Sequence, residues 1–134
     1  MARNLNRMVD TMTYDGLISG LTPEAKVKGA TLRKLGTAAT LVRGTILAKS
    51  SGTGGDDKYV VLGTTAGSNE TLTADCILAD DIDVGTTDDV NAAVYDMGCF
   101  DPAKLTVKSG YTITEADKDV LRERGIYLVA KSAI

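Results

Sequence analysis

The sequence predicts a mainly β fold, built as one small domain with a single short helix near the C-terminus and an extended arm at the N-terminus. The chain has 134 residues, a length that supports one domain with a modest core. Apolar runs at residues 76–79 and 92–95 flank a connection of Gly, Thr and Asp, and a third run at residues 105–107 follows an Asp-Pro pair. Because runs this short and this soon interrupted are typical of strands, we expect residues 74–107 to form the centre of the domain.

Residues 1–25 carry no sustained pattern. Four apolar residues in this stretch occupy positions i, i+3, i+4 and i+7: Leu5, Met8, Val9 and Met12. Their spacing fits a short amphipathic helix, whereas the polar flanks and the terminal position favour an arm. Residues 14–23 are too rich in Leu and Ile for a typical disordered tail, so they either pack on their own domain or become ordered on a partner. We therefore divide the chain into an N-terminal arm, residues 1–25, and a β domain, residues 26–134.

The first strands of the domain follow the arm directly. Residues 26–32 alternate well enough to be a strand, with Val27, Ala30 and Leu32 as the apolar positions. Residues 40–49 also have a strand-like pattern, in which Gly44 indicates a β-bulge or the close approach of another backbone. The next segments are expected to be a hairpin tip, a returning strand and a second polar loop, at residues 50–57, 58–62 and 63–73.

The helix signal comes late in the chain. Thr114 is a suitable N-cap with Asp117 three residues on, acidic residues fill the first turn, and arginines fill the last turn before Gly125. These signals predict a helix over residues 115–124. Its buried stripe is expected to comprise Ala116, Val120 and Leu121. Residues 126–130 then form a closing strand.

Composition argues against several classes of enzyme. The chain contains no histidine, which removes Ser-His-Asp and Cys-His nucleophile pairs, histidine general bases and nearly all zinc sites. Cys76 and Cys99 form no CxxC unit, and we expect both to be buried, reduced thiols. The sequence therefore predicts a protein that is not an enzyme, with no catalytic residue, no metal site and no cofactor.

Charge is unevenly distributed along the chain. Lys and Arg outnumber Asp and Glu by 8 to 3 in residues 1–50, whereas residues 51–103 hold 1 basic residue against 11 acidic ones. A basic segment beside an acidic one suits contact between complementary protein surfaces better than binding to a polyanion. No apolar run approaches the roughly 20 residues of a membrane span, so we also expect a soluble chain that is made in a cytosol and binds no membrane.

Three features superficially suggest ligand sites. The Gly-rich residues 51–58 lack the Gly-Lys-Ser/Thr step of a phosphate-binding loop and precede a strand, so we interpret them as a hairpin tip. Three arginines could contact phosphates but lack interleaved aromatic residues, which favours solvated or interface roles: Arg43, Arg122 and Arg124. Five carboxylates could ligate Ca²⁺ but lack EF-hand spacing, which favours a solvated acidic loop: Asp80, Asp81, Asp83, Asp88 and Asp89.

An ordered set of segments resembles the phage head decoration family, the capsid-cementing proteins similar to the D protein of phage lambda. The resemblance covers roughly residues 27–130, and no single segment in it is as specific as a metal motif. The segments that carry it are residues 41–47, 58–60, 76–79, 93–100 and 121–129. Residues 1–13, called the leader below, are an addition whose place in the family pattern stays open.

The resemblance implies a small β subunit of the tulip-like, barrel-like type that forms homotrimers and caps three-fold positions of an expanded phage head. It implies a virion protein on the outer capsid surface, synthesised in the bacterial host cytoplasm and binding no nucleic acid directly. In the family the arm contacts the major capsid protein. The residues so assigned, called the docking segment below, are Tyr14, Asp15, Gly16, Leu17, Ile18, Ser19, Gly20, Leu21, Thr22 and Pro23. We expect β-augmentation, with Leu17, Ile18 and Leu21 filling pockets of the capsid protein.

Two other functions compete with this interpretation. Short strands and one helix also fit a β-barrel module of the OB type that binds a ligand or a nucleic acid, although such modules present a basic, aromatic face. A small enzyme that uses Asp carboxylates would need an acid-base pair, which the sequence does not reveal.

Overall fold

The computed structural model describes residues 17–20 and 24–130. In these residues the chain forms nine strands, one 3₁₀ turn at Pro102–Lys104 and one α-helix, α1, at Glu115–Glu123. The strands are β1 (Ile18–Gly20), β2 (Lys26–Leu32), β3 (Ala39–Leu41), β4 (Ile46–Ser51), β5 (Tyr59–Val61), β6 (Thr71–Leu78), β7 (Ile82–Val84), β8 (Val90–Phe100) and β9 (Ile126–Leu128). The fold is mainly β, as the sequence predicted.

A five-stranded barrel forms the body of the domain. Its strands follow one another in the order β8, β2, β5, β4 and β6, and pairing of β6 with β8 closes the ring. The strand β8 is 11 residues long and extends beyond the barrel, where its last residues pair with β1 and β9. A separate two-stranded ribbon is formed by β3 and β7. The barrel thus carries a small extra sheet, β1-β8-β9, on the protruding end of β8.

Two strands of the barrel wall, β4 and β6, are buried on both of their faces over most of their length. All five barrel strands contribute to one apolar cluster, which includes Leu47, Cys76 and Val94 and fills the interior. The neighbouring side chains Ile46 and Ile77 belong to a second cluster, outside the wall, which α1, β9 and the residue before β1 cover. Because successive strand residues point to opposite faces, double burial explains the unbroken apolar runs seen in the sequence.

Several sequence predictions match the observed elements. The strand predicted at residues 26–32 is β2, and β4 and β5 form an antiparallel hairpin around the Gly-rich tip. Helix α1 begins at the predicted cap, since Thr114 Oγ1 accepts a hydrogen bond from Asp117 N at 3.1 Å and the Asp117 carboxylate accepts one from Thr114 N at 3.1 Å. The sequence therefore identified all three features from local signals alone.

Gly44 makes the close backbone approach that the sequence predicted. Its φ is +95°, and a Cβ atom here would lie 2.7 Å from the carbonyl oxygen of Lys104. Thr106 N donates a hydrogen bond to the Gly44 carbonyl at 3.0 Å, which brings the chain after the 3₁₀ turn against the start of β4. Only glycine combines this backbone conformation with this lack of space.

Three other predictions are wrong in detail. Residues 105–107 form no strand, because both edges of β4 are already paired with β5 and β6. A single bridge joins Thr106 to Thr45. Ala116 is exposed, and Leu121 is the buried residue of α1. The acidic loop contains a strand, β7, which the sequence did not reveal because its partner β3 lies far away in the chain.

Candidate docking surface at the N-terminal strand

The described part of the docking segment is a strand of the domain. Ile18 pairs with Phe100 and Gly20 with Cys99, antiparallel, with a register shift between them. Just before β1, the carbonyl oxygen of Leu17 accepts a hydrogen bond from Asp101 N at 2.8 Å. The backbone of residues 17–20 is therefore fixed to the protruding end of β8.

Leu17 anchors this strand in the core. Its side chain is 1% exposed and belongs to the outer apolar cluster, together with Phe100 and Ile126. The missing side chain of Gly44 leaves room beside it, since a Cβ at that glycine would lie 3.4 Å from Leu17 Cδ1. In this structure Leu17 fills a pocket of its own domain, and its insertion into a pocket of the capsid protein stays a prediction.

Gly20 and Ser19 show how tightly β1 is packed. A Cβ atom at Gly20 would lie 3.1 Å from Cys99 Cβ, so a larger residue would push β1 away from β8. The hydroxyl oxygen of Ser19 is buried and has no hydrogen-bond partner among the described residues. An unpaired buried hydroxyl is destabilising, and a partner that supplied an acceptor or donor there would relieve that cost.

One edge of β1 carries no strand pairing among the described residues. Within residues 17–20 and 24–130, β8 is the only strand that pairs with β1. The opposite edge of β1 can therefore accept a further strand through backbone hydrogen bonds, which is the geometry that β-augmentation requires. The other residues of the docking segment, 14–16 and 21–23, lie outside the described residues, as do Leu5, Met8, Val9 and Met12 of the leader.

Three carboxylates of the acidic loop form hydrogen bonds or ion pairs with other segments of the domain. Asp81 accepts a hydrogen bond from Arg43 N at 2.7 Å, and Asp83 accepts one from Thr40 Oγ1 at 2.5 Å, across the β3-β7 ribbon. Asp89 accepts from Lys34 N at 2.9 Å and forms an ion pair with Lys58. In the part of the chain that the structure describes, no group of three or more Asp, Glu, Cys or His residues is arranged to hold a metal ion.

A charged network that the sequence did not reveal holds the Gly-rich hairpin tip. The Arg33 guanidinium donates to both oxygens of Asp56 at 2.9 Å and also pairs with Glu70. Glu70 accepts further bonds from Gly67 N at 2.8 Å and from the Ser50 hydroxyl at 2.5 Å. The contacts to Gly67, Ser50 and Arg33 lower the pKa of Glu70 to about 2, and the Arg33 hydrogen bond lowers the pKa of Asp56 to about 2.

The three candidate arginines are engaged within the chain. Arg43 lies 5.3 Å from the centre of the Tyr95 ring and donates hydrogen bonds to the Ala79 carbonyl at 2.9 Å and the Tyr95 hydroxyl at 2.5 Å. Arg122 pairs with the helix residue Asp119 at 2.6 Å, and Arg124 lies 3.3 Å from the buried carboxylate of Asp75. Arg43 thus links the β4 turn to the barrel and Arg124 links the end of α1 to β6, whereas Arg122, with a side chain 64% exposed, pairs within its own helix.

The two cysteines are both buried, as the sequence predicted. Cys76 lies in the barrel interior, where burial raises the pKa of its thiol to about 12. A thiol with so high a pKa is not a nucleophile at neutral pH, so Cys76 is a packing residue.

Comparison with known proteins relates the chain to one protein family. The family model described as bacteriophage lambda head decoration protein D matches residues 10–126. A search of curated proteins gave no significant match. No helix in the described residues is long and apolar enough to cross a membrane. The family match includes the docking segment and extends through the β domain to the first residue of β9.

Proposed function

We propose, from the premise that this chain belongs to the bacteriophage lambda head decoration protein D family, that it binds the outer surface of the expanded phage capsid as trimers at three-fold positions. Membership of the family makes it a structural protein of the phage head, and the family is not one of enzymes. The proposed role is to stabilise the head against the pressure of the packaged DNA. The observation that carries this proposal is the match over residues 10–126.

The proposed partner is the phage major capsid protein, and the proposed contact is the docking segment. Leu17 fixes the segment to its own domain, and Ile18–Gly20 offer an open strand edge to an extended segment of the partner. Residues 14–16 and 21–23, on either side of the anchored part, then contribute the side chains that select the partner. A fixed strand loses less conformational entropy on binding than a free arm would.

Trimerisation would make weak single contacts sufficient. Three docking segments on one trimer bind as tethered units, and tethering raises overall avidity by roughly 10²–10⁴ when the geometry lets all three engage. An expanded lattice would place the partner sites at the matching spacing, whereas an unexpanded lattice would not. The proposal therefore includes selective binding after expansion.

The test is co-sedimentation with expanded and unexpanded heads of the phage that encodes the protein. The full chain is compared with a version that begins at Leu17, because truncation at Lys26 would also remove a core side chain and β1. Binding of the full chain to expanded heads alone, weakened in the shorter version, is the expected result. Failure of the full chain to bind either head would overturn the proposal, and a reconstruction of decorated heads would count subunits at each three-fold position.

The open edge of β1 can be tested separately. Leu17 and Ser19 turn their backbone groups towards β8, so the Ile18 N–H faces the opposite edge of β1. Ile18→Pro removes that donor, whereas Ile18→Ala keeps it, so the pair forms a matched comparison. If capsid protein pairs with β1, the proline variant should lose head binding while the alanine variant keeps it. Equal binding by both variants, with both folded, would remove β1 from the proposed contact.

A further inference from the structure

An apolar groove lies between the β3 segment and the chain that follows the 3₁₀ turn. Its volume is about 670 Å³, and it is lined by residues 35–37, 39–42 and 106–109 together with Thr45, Val61 and Thr64. Val42 is 43% exposed within it, which is high for a large aliphatic side chain in this fold. This volume falls in the range of sites that hold several side chains or a small ligand.

The chemistry of the groove suits apolar side chains. The hydroxyls of Thr45 and Thr64 donate to the carbonyls of Val42 and Val61 at 2.7 Å each, so both hydroxyl protons are already used within the chain. Thr40 is likewise bonded to Asp83 at 2.5 Å. Among the residues that line the groove, Lys108 is the one charged side chain. A polar ligand would find few free hydrogen-bonding groups here, whereas an apolar segment would displace water without giving up hydrogen bonds of its own.

Leu17, the first described residue after the leader, lies close to this groove. Leu17 packs beside Gly44, the residue before the groove residue Thr45, and Thr106 of the groove donates its N–H to the Gly44 carbonyl at 3.0 Å. From Leu17 back to Met12 an extended chain spans up to about 17 Å, and residues 5–12 add about 12 Å if helical. The stripe of Leu5, Met8, Val9 and Met12 is therefore within reach of the groove of its own chain.

We propose that the groove binds the leader of the same chain, through the apolar stripe at Leu5, Met8, Val9 and Met12. Docking covers both the stripe and the groove, which would otherwise present two apolar patches on a protein that is made free of the capsid. The proposal goes beyond the capsid-binding function and concerns residues that precede the docking segment. If the leader does not bind the groove, the proposed capsid binding can still be correct. If the protein does not bind the capsid, the leader can still bind the groove.

Disulfide trapping in the full chain tests the contact. Val42→Cys combined with Met12→Cys places one thiol in the groove and one on the stripe. The matched control is Val27→Cys combined with Met12→Cys, because Val27 is 59% exposed and lies on β2, which pairs with the same strand as β1. Under mild oxidation we expect an intrachain disulfide to form about tenfold faster in the groove pair than in the control. The native Cys76 and Cys99 are buried and present in both variants, so any disulfide that they form contributes equally to the two rates.

Each outcome decides the proposal. Equal rates in the two pairs would show that the leader does not occupy the groove and would overturn it. A disulfide-linked dimer as the main product would assign the groove to a second copy and would also overturn it. Tryptic cleavage after Arg7 gives an independent readout: Val42→Asp should speed it by about fivefold, whereas Val27→Asp should leave it unchanged. Unchanged cleavage in both folded variants would contradict the proposal.

Discussion

The substitution Leu17→Ala tests whether the docking segment is anchored in the domain. Leu17 is 1% exposed, so essentially its whole side chain is removed from water in the folded state. Leu→Ala changes at such sites cost about 2–5 kcal/mol, through the lost transfer free energy and the cavity that remains. Because β1 has only 3 residues and can relax into part of the cavity, we expect a loss of about 3 kcal/mol in the free energy of unfolding.

Urea unfolding, followed by circular dichroism, measures this loss. With a slope of about 2 kcal/mol/M for a domain of this size, the midpoint should fall by about 1.5 M. Leu17→Met conserves volume and should cost less than about 1.5 kcal/mol. Val27→Ala, at a side chain 59% exposed, should change stability by no more than about 0.5 kcal/mol. A Leu17→Ala midpoint equal to that of Val27→Ala would refute the anchoring argument and leave the whole arm available to a partner.

Three further substitutions test the contacts that hold the domain. Glu70→Gln should lower the melting temperature at pH 7. Because the pKa of Glu70 is lowered to about 2 in the folded chain, the difference from the parent should shrink as pH falls from about 4.5 towards 2, and a difference that stays constant over this range would contradict the network. Gly44→Ala should cost about 1–3 kcal/mol because its φ is +95°, whereas Gly29→Ala, with open space around it, should be nearly neutral in urea unfolding. Thr114→Ala should cost about 1 kcal/mol by loss of the helix cap, and a value equal to that of the exposed Thr112→Ala would show that the cap does not stabilise α1.

Features encoded by neighbouring residues were predictable from the sequence. The cap of α1 needs only Thr114 and Asp117, three residues apart, and the hairpin tip needs only a run of Gly, Ser and Asp between two apolar strands. Gly44 was also recognisable, because a glycine inside a strand-like pattern indicates a backbone constraint. In each case the physical cause lies within a few residues of its signal.

Features that depend on distant partners were not predictable. Arg33 and Glu70 are 37 positions apart, and no local pattern shows that the fold brings them together around the hairpin tip. Residues 105–107 have the composition of a strand but find both edges of β4 occupied. In the docking segment, Leu17 and Ile18 look alike in the sequence, and only the pairing of β1 with β8 separates the buried Leu17 from the partly buried Ile18.

The anchoring of β1 has a mechanical consequence for the proposed role. A capsid protein paired with β1 would pull on a strand that is itself paired with β8 and fixed by Leu17 in the outer core. The load would pass into β8, whose other residues pair with β2 and β6 in the barrel wall. Because antiparallel strands share such a load over several hydrogen bonds, the barrel would resist separation of neighbouring capsid subunits as one body. An arm attached only through a loop would instead extend under the same pull, and it could hold a lattice in place without stiffening it.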